Sequence, residues 1–258
     1  MIDEVPVDYV LFKLNEMFRI VYISSPLVTG KDIEDAKNIH RKYDFDRVPI
    51  KKNGQILSYY DSSTDSEKKI EINEILPEST GILETLSYLS KREFYFILSG
   101  NQLTHIVHYS DLNKQLILVP IYAEIEYCEI SIRDLCKSKN ICDTLIKKLI
   151  NASKKRRSKK RSSVDELYFD EELILFRELV KPEIYPDKLK NSKGLVNLDD
   201  EMIKEFVELR NRIMHAKTGI INEHNDVKKL LNFLQTCQYI IKIINQQKSV
   251  PLMNEQEK

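Results

Sequence analysis

The chain has 258 residues, 42% of them hydrophobic, which is enough for two domains with ordinary cores. Basic and acidic residues balance to a formal net charge of zero, so the overall charge predicts no attraction to nucleic acid. No window approaches the roughly 20 apolar residues of a membrane span, and the N-terminus lacks the basic start and apolar run of a secretory signal. We therefore expect a cytoplasmic protein with no membrane partner.

The first predicted unit is a helix followed by a hairpin. Residues Asp32 to Tyr43 have a helical pattern, and Arg47-Val48-Pro49-Ile50 and Gln55 to Tyr60 are short strand-like runs. Asn53-Gly54 lies between the two runs, and this dipeptide is a strong hairpin signal because both of its residues tolerate a positive φ.

The same order of elements returns about 48 residues later. Residues Ser79 to Lys91 are predicted to be helical, Glu93 to Leu98 form a strand, Gly100-Asn101 turns the chain, and Gln102 to His108 form a second strand. Two copies of one supersecondary unit indicate an internal repeat whose members bury their apolar faces against each other.

This repeat resembles a pair of CBS motifs, tandem modules that often bind adenine nucleotides in the cleft between them. Such motifs usually end in Gly-apolar-apolar-Thr, two variable residues and an Asp that holds a ribose. The second copy, His105-Ile106-Val107-His108-Tyr109-Ser110-Asp111, keeps the Asp but has histidines in place of the Gly and the Thr. The first copy ends in Ser62-Ser63-Thr64 and has no matching Asp.

The resemblance implies one adenine-nucleotide site formed by Asp111, Ser110 and His108, with the nucleotide as a regulatory ligand. A histidine at position 105, where a glycine normally lets the ligand approach, crowds the usual nucleotide pose. The alternative is that the pair is a dimerisation scaffold without a ligand.

The pattern of the remaining residues predicts an all-helical bundle, with only a short linker between it and the repeat. Pro120 is expected in the first turn of the first bundle helix, where its missing N–H costs little, so the boundary is expected near residues 113–119. The domains are therefore predicted as 1–115, 116–247 and a disordered tail, 248–258, and the fold class as α+β. The predicted helices are Val119 to Lys137, Ile141 to Lys155, Val164 to Val180, Asp199 to Ala216, and Asn225 to Gln247.

A basic block interrupts the bundle. Seven of its eight residues are positively charged, which is usual for a solvated segment between elements. In a protein that binds RNA, such a block adds salt-dependent affinity for phosphates without sequence preference. The candidate RNA-binding residues are Lys154, Lys155, Arg156, Arg157, Lys159, Lys160 and Arg161.

The most informative segment is a late amphipathic helix. Asn197 to Glu201 offers capping side chains and acids for its first turn. Behind this start, apolar residues recur at three- and four-residue steps and predict one buried stripe. Arg210 lies on that stripe, and an arginine side chain is seldom buried unless its charge is paired with an anion. The stripe comprises Ile203, Phe206, Val207, Arg210, Ile213 and Met214.

The segment from Glu208 to Ala216 resembles the R-x4-6-H motif of the HEPN superfamily, with Arg210 and His215 as the two motif residues and Asn211 as the Asn that often follows the Arg. HEPN domains are short helical bundles with the motif in a late helix. Active members are metal-independent ribonucleases that work as homodimers, with both motifs in one composite site.

The resemblance implies that Arg210, Asn211 and His215 are catalytic. A histidine handles protons near neutral pH, while a guanidinium fork matches the phosphate oxygens of the transition state. The implied products are a 2′,3′-cyclic phosphate and a 5′-hydroxyl, and catalysis requires neither metal nor cofactor.

Two functions remain open at this stage. The first is an endoribonuclease switched by a nucleotide in the front domain, as in defence and stress effectors or toxins that have a cognate antitoxin. The second is a catalytically inert nucleotide sensor or interaction scaffold, in which Arg210 makes a structural ion pair and His215 caps a helix. A structure discriminates between them, because an Arg210 locked to an internal carboxylate favours the second.

Overall fold

The computed structural model describes residues 17–138, 167–184, 198–215 and 219–248. The predicted helix from Ile141 to Lys155 and the whole basic block lie outside these residues, as does the predicted tail apart from Lys248. The described part is mixed α+β, with sheets in its N-terminal part followed by helices, as the sequence predicts.

Seven strands in the described residues form two sheets. One sheet has the order β1-β7-β6-β5 and the other the order β2-β3-β4. All neighbours are antiparallel except β5 and β6, which are parallel. The strands are β1 (Ser25–Pro26), β2 (Arg47–Lys52), β3 (Gln55–Asp61), β4 (Ser66–Lys69), β5 (Ile75–Pro77), β6 (Phe94–Ser99) and β7 (Gln102–His108).

The predicted helix–hairpin repeat is confirmed. Helix α1 (Ile33–Tyr43) precedes the β2–β3 hairpin, and helix α2 (Ile82–Leu89) precedes the β6–β7 hairpin. Asp32 caps α1 by accepting a hydrogen bond from the Asp35 N–H at 2.9 Å. Helix α2 is shorter than predicted, because its N-cap is Gly81 and not a residue near Ser79.

The two hairpins share geometry as well as order. Each turns in two residues, and each has an irregularity in strand register, between Ile50 and Lys51 in the first and between Ile97 and Leu98 in the second. These irregularities lie 47 residues apart, as do the strands that carry them. Both Asn53 and Gly54 have a positive φ, which explains why this dipeptide predicts the first turn.

The helices that follow contain most of the remaining described residues. They are α3 (Gln115–Ser138), α4 (Phe169–Ile184), α5 (Asp200–Met214) and α6 (His224–Lys248). The expectation that Pro120 lies in the first turn is wrong, because α3 already begins at Gln115 and Pro120 lies inside the helix. The cost is local, since the proline withholds the N–H that the Leu116 carbonyl would otherwise accept.

The buried face of α5 differs in part from the predicted stripe. Ile203, Phe206 and Ile213 are buried as predicted, but Leu209 is buried as well, whereas Val207 and Met214 are only half-buried. The Phe206 ring contacts the Phe233 ring of α6 at 4.8 Å between centroids. The buried face of α5 is therefore centred on Phe206, Leu209 and Ile213, and Val207 and Arg210 lie at the edge of this face.

The chain divides into two compact units. The first comprises residues 1–120 and 218–231, and the second comprises 121–217 and 232–258. Within the residues described, no helix combines the length and the apolar composition that a bilayer span requires. The domain boundaries drawn from the sequence stay predictions.

Candidate functional site

Helix α5 provides the platform for the predicted motif. Its start is fixed by Asp199, whose carboxylate accepts a hydrogen bond from the Met202 N–H at 2.9 Å, as the capping signal predicts. Its last turn carries Asn211, and His215 is the C-cap, donating its backbone N–H to the Asn211 carbonyl at 3.1 Å. Because successive side chains of an i, i+4 row lie on one face, Asn211 and His215 are neighbours along the helix.

One cavity of the second unit brings the three predicted catalytic residues together. Its volume is about 450 Å³, and its walls come from α3, α5 and the start of α4. The lining residues are Glu129, Arg133, Leu167, Tyr168, Phe169, Asp170, Val207, Arg210, Asn211 and His215.

Arg210 is held in this cavity by a carboxylate from α3. Its Nε donates to Oε1 of Glu129 at 2.8 Å, and its Nη2 donates to Oε2 of the same residue at 3.2 Å. The Glu129 side chain is only 2% exposed, whereas that of Arg210 is 23% exposed. The bidentate pair fixes the Nε–Nη2 edge of the guanidinium. The remaining nitrogen, Nη1, donates to Oδ1 of Asn211 at 3.3 Å.

A second ion pair extends this contact into a cluster of two acids and two arginines. Arg133 donates from Nε to Glu172 at 2.5 Å and lies 3.3 Å from Glu129, so it bridges the two carboxylates. Burial raises the pKa of Glu172 to about 8, since the neighbouring Glu129 adds to the effect of burial and Arg133 only partly opposes it. Glu172 is fully buried, and its Oε2 has no hydrogen-bond partner among the described residues.

His215 and Asn211 lie at the open side of the cavity. Both are exposed, in contrast to the acids beneath Arg210. An exposed imidazole and an exposed carboxamide are accessible to a ligand in solution, while the guanidinium of Arg210 is fixed by the buried carboxylate of Glu129. The arrangement combines a proton-transfer group with an oriented cation.

The residues of the predicted nucleotide site are engaged in local structure. Asp111 accepts a hydrogen bond from the His108 N–H at 2.8 Å and pairs with Lys114 at 2.7 Å. Nδ1 of His108 lies 2.8 Å from Oγ of Ser110, and together these contacts cap a 3₁₀ turn over Tyr109–Asn113. Burial lowers the pKa of His108 despite the nearby Asp111. The structure thus brings Asp111, Ser110 and His108 together, with their polar groups already paired.

The first unit has a cavity at a different place, between the turns of the two hairpins. Its volume is about 480 Å³. Four pairs of equivalent repeat positions, each 47 residues apart, line it: Lys51 and Leu98, Gly54 and Asn101, Gln55 and Gln102, and Ile56 and Leu103. The other lining residues are Leu57, Lys69, Ile70 and Ile75. None of the predicted nucleotide-binding residues is in this lining.

Four residues of the motif cavity and its support were missed at the sequence level. Glu129 and Arg133 have a weak signal, because an acid and an arginine four residues apart on a helix can pair, although Glu124, Glu126 and Asp134 lie in the same segment. Glu172 and Tyr168 have none, because acids are common in the first turn of a helix and a tyrosine there has no special spacing. The predicted RNA-binding block, Lys154 to Arg161, lies outside the described residues.

Comparison with protein-family models, with curated proteins and with solved structures found no significant match for this chain. The HEPN and CBS resemblances therefore depend on their motifs alone.

Proposed function

We propose that the protein is a metal-independent endoribonuclease of the HEPN type. The observation that carries the proposal is the cavity lined by Arg210, Asn211 and His215, in which a buried carboxylate orients the guanidinium. A homodimer would place two such motifs in one composite site. The cluster beneath Arg210 then orients its side chain. Because one edge of the guanidinium is already fixed by Glu129, the side chain loses little conformational freedom when the remaining N–H groups bind a phosphate.

The chemistry needs only groups that this cavity contains. A base removes the proton of the RNA 2′-hydroxyl, its oxygen attacks the adjacent phosphorus, and the 5′-oxygen leaves and takes up a proton. His215 is suited to the proton transfers, and Arg210 to the charge that accumulates on the phosphorane. Asn211, hydrogen-bonded to Arg210, positions the scissile phosphate. The products are a 2′,3′-cyclic phosphate and a 5′-hydroxyl.

The inert alternative has one specific observation in its favour, since Arg210 is paired with an internal carboxylate as that reading requires. Two features favour the nuclease over it. The Arg210 side chain is 23% exposed and lines a cavity, whereas an arginine that serves only an internal ion pair needs no such access. The carboxylate also takes only the Nε–Nη2 edge, so the pairing and a phosphate contact are compatible.

A second candidate function, nucleotide sensing, is supported by the hairpin cavity of the first unit. Two lysines, amide side chains and aliphatic residues line it, a mixture that suits a ligand with phosphates and an apolar ring. We propose that an adenine nucleotide bound in the first unit regulates cleavage. Such regulation requires the nucleotide to bind the active and inactive states with different affinity.

The test of the nuclease proposal is cleavage of a mixed RNA pool in EDTA by the wild type, Arg210→Ala and His215→Ala. Arg212→Ala is the matched control, because Arg212 lies on the same helix but does not line the cavity. We expect cyclic-phosphate ends from the wild type and the control and none from the two motif variants. A folded, dimeric wild type that cleaves nothing, with adenine nucleotides present or absent, would support the inert alternative.

A further inference from the structure

The lining of the motif cavity has two chemically different parts. Leu167, Tyr168, Phe169 and Val207 form the apolar and aromatic part, here called the aromatic end, and the other lining residues are polar: Glu129, Arg133, Asp170, Arg210, Asn211 and His215. Leu167 and Phe169 are buried, but Tyr168 is 47% exposed. The aromatic end therefore has an apolar floor with an accessible ring beside it.

Helix α5 sets the spacing between apolar Val207 and the polar residues that follow it along the cavity wall. Val207, Asn211 and His215 follow one another at four-residue steps along the cavity wall. Each step is about 6 Å at a rise of roughly 1.5 Å per residue. An apolar contact at Val207 and a phosphate contact near Asn211 are thus separated by about the distance between the base and the phosphate of one nucleotide.

The position of Tyr168 is fixed by the start of α4. Its backbone N–H donates to Oε2 of Glu171 at 3.0 Å, and its carbonyl accepts from the Glu172 N–H at 2.9 Å. These bonds hold the backbone of Tyr168 at the N-terminus of the helix. A ring on an anchored backbone is a better stacking surface than one on a free loop, because less conformational entropy is lost when it is covered.

We infer that Tyr168 is the stacking surface for an unpaired base of the RNA substrate whose adjacent phosphate lies at Arg210. This inference rests on the proposed function for the identity of the nucleic acid. Stacking on an aromatic ring accepts every base, since each has a π face, and a base in a duplex is not available for it.

Charge at the aromatic end favours a base over a second phosphate. Asp170, two residues after Tyr168, also lines the cavity, so a carboxyl group is present in the same part of the chain as the ring. A neutral ring system is compatible with this carboxylate, whereas another phosphate would be repelled. The cavity, at about 450 Å³, lies within the roughly 300–1,000 Å³ range of small-ligand pockets and is large enough for one nucleotide.

The experiment is a binding titration with 2′-fluoro RNA oligonucleotides, which lack the attacking hydroxyl and cannot be cleaved by this chemistry. Fluorescence anisotropy compares a single strand with the same strand in a duplex, using wild type, Tyr168→Phe and Tyr168→Ala. Tyr122→Ala is the matched control, because Tyr122 is a similarly exposed tyrosine, 42% exposed, that does not line the cavity. A circular dichroism melt establishes that each variant folds.

We expect Tyr168→Ala to weaken single-strand binding roughly 10- to 100-fold, given the contribution of one stacked base. The phenylalanine variant and the control should bind within about two-fold of the wild type, since the ring face is what stacks. Duplex binding should be weaker than single-strand binding and insensitive to Tyr168.

Different results would contradict the stacking inference and the nuclease proposal. Equal single-strand affinity in Tyr168→Ala and the wild type, or no binding of single strands at all, would overturn the stacking inference even if the wild type cleaves RNA. Tyr168-dependent binding by a wild type that does not cleave would keep the stacking site and remove the nuclease activity. A preference for duplex would also overturn the inference.

Discussion

Arg210 and Glu129 form a bidentate ion pair across 81 positions of sequence, with Nε–Oε1 at 2.8 Å and Nη2–Oε2 at 3.2 Å. The carboxylate is buried and the guanidinium is at the cavity surface. A pair of this kind is not primarily a source of stability, because desolvation offsets most of the attraction. It does determine the direction in which the arginine points.

Removing the carboxylate should destabilise the second unit. In Glu129→Gln, Arg210 and Arg133 lose a shared anionic partner, and breaking a buried pair from one side costs about 3–5 kcal/mol, reduced here to about 2–4 kcal/mol because the arginines are partly exposed. Chemical denaturation measures the loss. The control Asp134→Asn, an exposed acid on the same helix, should change the free energy of unfolding by less than about 0.5 kcal/mol. Equal stability in the two variants would contradict the role of Glu129.

Replacing the arginine by lysine should separate charge from geometry. In Arg210→Lys a cation remains for Glu129, but a single ammonium cannot hold the carboxylate and present a planar fork to a phosphate. We expect cleavage to fall at least about 100-fold, the usual effect of losing one transition-state donor, with less loss of stability than in Glu129→Gln. Arg212→Lys, on the same helix, is the control. Full activity in Arg210→Lys would show that the fork is not used.

The buried Glu172 predicts a pH dependence of stability. Its pKa is about 8 in the folded protein, above the ordinary value of 4.5, so the folded state holds more protons than the unfolded state between these values. The stability that it contributes is complete below about pH 4.5 and is lost as pH rises through 8, at no more than about 1.4 kcal/mol per pH unit.

The variant Glu172→Gln isolates this titration. A glutamine side chain cannot ionise, so the difference in melting temperature, variant minus wild type, should rise from pH 5 to about pH 8 and then level off. Any effect of the substitution that does not depend on the ionisation of Glu172 shifts the whole curve and leaves its slope unchanged. A difference that stays constant across this range would mean that the carboxyl of Glu172 titrates normally.

Nucleotide binding should depend on the hairpin cavity more than on Asp111. The carboxylate of Asp111 already accepts from the His108 N–H and pairs with Lys114, whereas Lys51 and Lys69 border an open volume. We expect ATP or AMP to raise the melting temperature of the wild type and of Asp111→Asn, and to do so much less in Lys51→Ala and Lys69→Ala.

Lys42→Ala is the control for that measurement, because Lys42 lies on α1 and does not line the cavity. A nucleotide shift abolished in Asp111→Asn, with a folded protein and intact shifts in the lysine variants, would instead favour the site implied by the CBS resemblance.

Local signals predicted the elements whose causes are local. Asp199 caps a helix within the segment predicted to do so, and Asn53-Gly54 turns the first hairpin, because each of these residues acts on backbone groups within a few positions. Strand β4 was missed because Ser66 to Lys69 has no apolar residue; its backbone pairing with β3 determines it.

The missed parts of the candidate site have long-range causes. The sequence required an anion at Arg210 but offered no means of choosing Glu129, which is brought there by the packing of α3 against α5. Similarly, the pKa of Glu172 depends on burial and on neighbours from another helix. Spacing within one helix carries no information about either.

The hairpin cavity of the first unit has a consequence for how a guest enters it. The two copies of the repeat have diverged at equivalent positions of the lining, where one copy has Lys51 and the other has Leu98. A perfectly duplicated pair of hairpins would accept a molecule equally well in either direction. This pair has a cationic side chain at one of these equivalent positions and an aliphatic side chain at the other, so an elongated ligand with one ionic end has a preferred orientation in the cavity.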